Sequence, residues 1–128
     1  AGALGASSVL ATDDDEDARA RSEKGGVAST RRFDFLSEDP LPRADVVIAA
    51  DCAYTWTLAE HLGRRVTEAT ERGSRVVVAA SQRWRWQTFL DHAPSSGVET
   101  THVSVRSAIR YRVNIFYSAK DMAGSATL

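Results

Sequence analysis

Two carboxylates and a tyrosine stand where this chain could hold a ligand: Asp13, Asp51 and Tyr54. Asp13 closes the apolar run Ser8-Val9-Leu10-Ala11-Thr12, and Asp51 closes Asp45-Val46-Val47-Ile48-Ala49-Ala50. In an open α/β sheet, ligands bind beyond the carboxyl ends of the strands, so two parallel strands ending this way put both acids on one rim. An acid after the second strand of such a sheet accepts hydrogen bonds from ribose hydroxyls, and an ionised acceptor makes those bonds charge-assisted. Plainer roles stay open at this point. Either acid could cap the helix that follows it, and Tyr54 could be a half-buried wall residue.

Other groupings carry less. The run Asp13-Asp14-Asp15-Glu16-Asp17 invites a calcium loop, but such a loop needs glycine where Ala18 stands and glutamate where Lys24 stands. A solvated helix start, where acids favour the dipole, suits the run better. His61, His92 and His102 are scattered without metal spacing, and no metal site is expected. Cys52 is the one cysteine, which excludes an internal disulfide and a multi-cysteine zinc site; it lacks a partner histidine motif and reads as a small packing residue. Arg83-Trp84-Arg85-Trp86 suggests stacking on bases. The helical spacing of Trp86, Phe89 and Leu90 favours an apolar face with the arginines outside, while Trp84 could border a substrate groove.

The elements that must position these residues follow from periodicity. Ser8 to Thr12 reads as a buried strand, Asp14 to Lys24 as a polar helix stopped by Gly25-Gly26, and Val27 to Phe35 as a second strand. Ser37 to Arg43, with two prolines, is a loop. Asp45 to Ala50 is apolar on both faces after Asp45, as a central parallel strand is. Leu58, Leu62, Val66 and Ala69 form one apolar helix face over Thr57 to Arg72, capped by Gly73. Arg75 to Ala80 is another buried strand, and Gln82 to Ala93 a second amphipathic helix ended by Pro94 and Gly97. Val98 to Ser107 and Arg110 to Ala119 alternate and close the chain as a strand pair. Strands alternating with helices predict a doubly wound, Rossmann-like, mostly parallel sheet, with an antiparallel pair at its C-terminal edge.

The bulk numbers set bounds. The chain has 128 residues, 43% of them hydrophobic, which suits one packed domain over residues 1–120 followed by a frayed tail at 121–128. A net charge of −1 removes the electrostatic argument for a nucleic-acid partner. No apolar run nears the ~20 residues of a membrane span, so no membrane partner is expected. With no signal peptide visible, an intracellular protein, cytoplasmic or nuclear, is the default.

Three segments together resemble one family. Leu4 to Asp13 looks like the end of the first helix and the second strand of class I S-adenosylmethionine-dependent methyltransferases. Phe33-Asp34-Phe35 resembles the Leu-Asp-Trp signature of the methyltransferase-like-21-type branch, and Ala49-Ala50-Asp51-Cys52-Ala53-Tyr54 its Ala-Asp-x-x-Tyr pattern. The branch includes protein-lysine methyltransferases. The resemblance extends from Leu4 to about Lys120 and implies S-adenosylmethionine as cofactor and a protein lysine amine as acceptor. It implies that Asp13 holds the ribose, Phe35 packs on the adenine where the family often has tryptophan, and Ala50 approaches the cofactor through its backbone. Asp51 and Tyr54 would line the acceptor pocket as the catalytic pair. Thr55 stands where the family often has an acid. The alternative is a catalytically inactive methyltransferase-like subunit that serves interactions.

The family also carries a glycine-rich loop after its first strand, which lies between the second and fourth strands of the sheet. Ala1-Gly2-Ala3-Leu4-Gly5 is too short for it and lacks the preceding strand. The resemblance therefore implies a fragment with its first strand missing, a gap within the sheet, and exposed ladder groups on both flanks. The isolated chain is expected to be unstable as a monomer and to show no micromolar cofactor binding by titration calorimetry.

Overall fold

The structure, a computed structural model, describes residues 8–26, 29–81, 85–106 and 109–118. The expectations placed on Leu4 to Ser7, Val27, Gln82 to Trp84 and the tail from Asp121 lie outside these residues. The chain divides into two compact units, Ala1–Asp39 and Pro40–Leu128.

The first unit is a strand–helix–strand. Strand β1 (Leu10–Asp13) and strand β2 (Ser29–Arg32) pair in parallel, Leu10 opposite Ser29 and Asp13 opposite Arg32, with helix α1 (Glu16–Lys24) between them in sequence. No residue of α1 is buried, so local terms hold it. Asp15 is its N-cap and accepts the Asp17 N–H at 3.0 Å. Acids in the first turn and Arg21 and Lys24 in the last complement the helix dipole. The first strand was expected to be buried. Instead Leu10 is 43% exposed, because β1 belongs to a two-stranded sheet whose one helix offers no apolar face.

The second unit holds a four-stranded sheet in the order β3 (Val46–Ala50), β4 (Arg75–Ser81), β6 (Ile109–Tyr117), β5 (Val98–Arg106). Strands β3 and β4 are parallel, and β6 runs antiparallel to both β4 and β5. The expected α/β class and antiparallel closing pair are present. The last strand lies inside, between β4 and β5, and β5 takes the edge.

One face of this sheet carries Val76, Val78, Ala80 and Phe116, all buried. Helix α2 (Trp56–Glu71) contributes Ala59, Leu62, Val66 and Ala69 to the core, and helix α3 (Trp86–His92) contributes Trp86 and Phe89. The other face presents Val46, Ile48 and Val77, with Ile48 67% exposed and opposite Val77 in the ladder. Strand β3 was expected to be central and buried on both faces. It is the edge of its sheet, and its exposure alternates along the strand. An all-apolar strand leaves both faces fit for burial; which face finds a layer is decided by the helices.

Helix α2 ends at Glu71 with Arg72 as its C-cap, and Gly73 turns the chain with φ +96°, a left-handed conformation suited to glycine. Helices α2 and α3 approach closely at Gly63, where a Cβ would lie 2.7 Å from the His92 Cβ and 2.8 Å from the Phe89 carbonyl oxygen. A backbone oxygen cannot swing aside as a side chain can, so Gly63→Ala should force the helices apart. A destabilisation of about 1–3 kcal/mol is expected in urea denaturation. An unchanged midpoint would show that the helices separate without cost.

The segment before β3 is tied to the end of α2. Glu68 accepts the Leu41 N–H at 3.1 Å and pairs with Arg65 and Arg72, each at 2.8 Å. Arg72 donates to the Leu41 carbonyl, and Ser74 Oγ donates to the Ala44 carbonyl at 2.6 Å. Burial pushes the Glu68 carboxyl up, but the Arg65 hydrogen bond, the Leu41 N–H and the two arginine charges outweigh it, and its pKa is lowered. A depressed folded-state pKa gives stability that is present above the ordinary glutamate value and lost as pH falls through the lowered one. Glu68→Gln should therefore cost about 1–3 kcal/mol at pH 7. In acid, below the lowered pKa, the difference from wild type should narrow. A constant difference across an acid titration of stability would contradict this.

Candidate functional site

Because β3 and β4 are parallel, Ala50-Asp51 and Ala80-Ser81 reach the same end of the sheet. The chain leaves β3 through Asp51, whose φ is +53°. This left-handed conformation is uncommon outside glycine, though aspartate and asparagine tolerate it best among the rest. The Asp51 N–H donates to the Ala79 carbonyl at 2.8 Å, which carries the ladder one residue past the strand. Its Oδ1 accepts the Ser81 N–H at 2.9 Å. The side chain is thus bonded across the strand ends while remaining exposed.

The helix-cap role considered for Asp51 belongs to Thr55, whose Oγ1 accepts the Leu58 N–H at 3.1 Å. The threonine at this position, in place of an acid, has a structural task. The Cys52 thiol donates to the Ala50 carbonyl at 3.3 Å, a local contact. Ala53 is buried and Tyr54 is 63% exposed. Asp51, Ala53, Tyr54, Ala80 and Ser81 line a half-open cavity of about 220 Å³. Complete small-molecule pockets run ~300–1,000 Å³, so this one suits a slender group better than a whole nucleoside.

A second contact joins the starts of α2 and α3. The Arg85 guanidinium lies 3.8 Å from the centroid of the Trp56 ring. Trp56 opens α2 just after Tyr54, and Arg85 precedes α3 four residues after Ser81. Burial pulls the Arg85 pKa down from its usual value, and guanidinium still remains a cation in any ordinary buffer.

In the first unit, Asp13 and the segment Phe33-Asp34-Phe35 follow the same ends of the parallel strands β1 and β2. Asp13 does not cap α1, since Asp15 does; its Oδ1 accepts the Asp15 N–H at 2.9 Å and the residue is exposed. Its carbonyl accepts from Arg19 Nη1 at 2.9 Å and from the Phe33 N–H at 3.2 Å. Phe35 is half-buried in a turn where Asp34 Oδ1 accepts the Leu36 N–H at 2.9 Å. The structure therefore places Ala50 at the end of β3 with Asp51 and Tyr54 in the segment that follows it, in the second unit, and Asp13 at the end of β1 with Phe35 just after β2, in the first.

Sequence reasoning missed Ala80, Ser81 and the Trp56–Arg85 contact. The strand-end rule that picked out Asp51 applies equally to the end of β4 and would have found Ser81. Nothing in the spacing of Trp56 and Arg85 announces their pairing. Among the described residues no three histidine, cysteine, aspartate or glutamate side chains gather to hold a metal, and no helix is long and apolar enough to cross a membrane.

No protein-family model matches the chain, and no curated protein sequence does. Solved structures do. The chain is similar to TrmN from Thermus thermophilus, with 19% identity and a TM-score of 0.60 over 91% of this chain and 38% of that one. It is similar to LepI in complex with SAM, with 10% identity and a TM-score of 0.57 over 87% of this chain and 36% of that one. It is also similar to magnesium protoporphyrin IX methyltransferase (ChlM) from Synechocystis PCC 6803 with bound SAM, with 11% identity and a TM-score of 0.55 over 91% of this chain and 62% of that one. The chain thus spans between about a third and two thirds of the length of these proteins. At such identities the likeness shows the fold: a Rossmann-like α/β architecture shared with these proteins.

Proposed function

We propose that this chain is part of an S-adenosylmethionine-dependent methyltransferase that acts on an amine, with a protein lysine as the acceptor class to test first. One observation carries the reading: Asp51 is held in a left-handed conformation, bonded to the Ser81 N–H, beside Tyr54 at the carboxyl ends of two parallel strands. The fold shared with SAM-bound structures supports the cofactor class.

Two residues of the first unit suit parts of such a cofactor by their chemistry: Asp13 would accept from the ribose hydroxyls, and Phe35 would pack on the adenine. When bound, S-adenosylmethionine supplies a sulfonium methyl group; the new N–C bond forms as the C–S bond breaks, and the bond's electron pair stays on sulfur. What the chain supplies is position and charge. A carboxylate with acceptor capacity beyond its Ser81 bond holds an arriving ammonium, and the tyrosine ring beside it tolerates a cation. The amine must lose a proton to expose its lone pair, and Asp51 or water takes it. Alignment provides the larger part of the gain, so no covalent nucleophile is needed.

The test uses the polypeptide that carries this chain. Equilibrium dialysis should show S-adenosylmethionine binding, and Asp13→Asn should weaken it about 10- to 100-fold, as loss of a charged hydrogen-bond acceptor does. Methyl transfer to Nα-acetyl-lysine methyl ester should follow. Cofactor binding without transfer to any amine would favour the inactive interaction subunit. No binding at all would sink the enzyme reading and leave the inactive subunit.

A further inference from the structure

We infer that the Trp56–Arg85 stack is a positioning clasp for the candidate acceptor cavity: it ties the start of α2, just after Tyr54, to the start of α3 and so sets how tightly the acceptor binds. The inference rests on the function proposed above for the cavity, but the clasp itself can be tested without turnover.

Three observations carry it. First, the cavity has two walls from separate elements, with Asp51, Ala53 and Tyr54 from the segment after β3 on one side and Ala80 and Ser81 from the end of β4 on the other. Second, the directed contacts around these walls include the Asp51 N–H to the Ala79 carbonyl, the Ser81 N–H to Asp51 Oδ1, and the Arg85 guanidinium 3.8 Å over the Trp56 ring. The first two lie at the strand ends. The third lies beyond them, at the starts of α2 and α3. Third, Asp51 sits at φ +53°, a conformation less favoured than the right-handed or extended regions, so restraint on the segment that follows it helps to keep it there. A clasp outside the cavity supplies that restraint while leaving the cavity open.

The stack is a poor candidate for a plain core contact. Trp56 is 61% exposed, unlike Trp86 at 6%, so its burial adds little to folding. A cation over an indole face is worth ~0.5–2 kcal/mol, which corresponds to about a 2- to 30-fold change in a local opening equilibrium. That is enough to loosen a loop and too little to unfold the unit.

The experiment is amide hydrogen exchange on the full polypeptide, comparing wild type with Arg85→Met, Arg85→Lys and Trp56→Phe. Arg85→Met keeps the stem and removes the charge. It should speed exchange of the Asp51 and Ser81 amides about 2- to 30-fold, leaving the Val76 and Val78 amides unchanged. Arg85→Lys and Trp56→Phe keep a cation and a ring and should fall near wild type. Unchanged exchange at Asp51 and Ser81 in Arg85→Met overturns the clasp. So does an equal rise at Val76 and Val78, which would mark general destabilisation. In turnover, Arg85→Met should raise the KM for Nα-acetyl-lysine methyl ester with kcat and cofactor affinity little changed. If wild type methylates no amine while the exchange result holds, the proposed function falls and the clasp stands.

Discussion

Replacing Phe89 by alanine should cost the second unit about 3–5 kcal/mol, the range for emptying a fully buried aromatic site. Phe89 is 0% exposed. Its ring stacks at a tilt on Trp86, with centroids 4.9 Å apart, and meets Phe116 edge-on at 5.3 Å. Phe116 lies on β6, the inner strand of the sheet, so this one ring joins α3 to the sheet centre. The neighbouring backbone cannot collapse into the void, because Gly63 already lets α2 approach the Phe89 carbonyl as closely as packing permits. A domain with a total stability of ~5–15 kcal/mol loses much of it this way. Urea denaturation followed by circular dichroism should show the shift, with Phe89→Leu losing less. Val77→Ala on the open face, where the side chain is 37% exposed, should cost under ~1 kcal/mol. If Phe89→Ala and Val77→Ala cost the same, the core does not lie between α3 and the sheet.

Much of this architecture is legible in the residues. Val76-Val77-Val78 announces a strand, and Leu62, Val66 and Ala69 announce the buried face of α2, because side-chain spacing records which residues share a face. Pro94 and Gly97 mark the end of α3, since neither suits a helix interior. What the residues do not record is which neighbour each element finds. Val98 to Ser107 and Arg110 to Ala119 declare a hairpin, yet which strand sits inside depends on whether β5 or β6 meets β4, a matter of side chains 30 or more residues apart in sequence. Val46 and Ile48 suit burial equally well on either face, and only the seating of α2 and α3 leaves them exposed. The candidate site shows the same division. Asp51 and Tyr54 are visible because a strand end draws the eye to them. The positive φ of Asp51, its bond to Ser81 and the reach of Arg85 over Trp56 are products of the fold. Thr55 is the instructive residue: as a departure from a resembled motif it says little, and as the N-cap of α2 it accounts for itself.

Asp51→Asn should lower kcat/KM for methyl transfer about 10- to 100-fold while leaving the fold intact, and the second half of that statement gives the first its meaning. Asparagine keeps an Oδ1 that accepts the Ser81 N–H, and it tolerates the left-handed conformation that Asp51 adopts at φ +53°. Only the charge is removed, so the melting temperature should hardly move. Asp51→Ala removes the acceptor and places a Cβ-bearing residue with no local hydrogen bond in the same conformation. It should cost roughly 1–2 kcal/mol in backbone strain, with a further loss from the unpartnered Ser81 N–H. Asp51→Gly removes the acceptor but accepts the positive φ freely, so it should be more stable than the alanine variant. The three variants order differently by the two measurements. Stability should run asparagine above glycine above alanine, whereas methyl transfer should be poor in all three, because none carries a carboxylate. An asparagine variant with wild-type transfer would show that Asp51 serves the turn alone. A loss of transfer that tracked the melting temperatures would say the same, since strain and not charge would then be what the reaction feels.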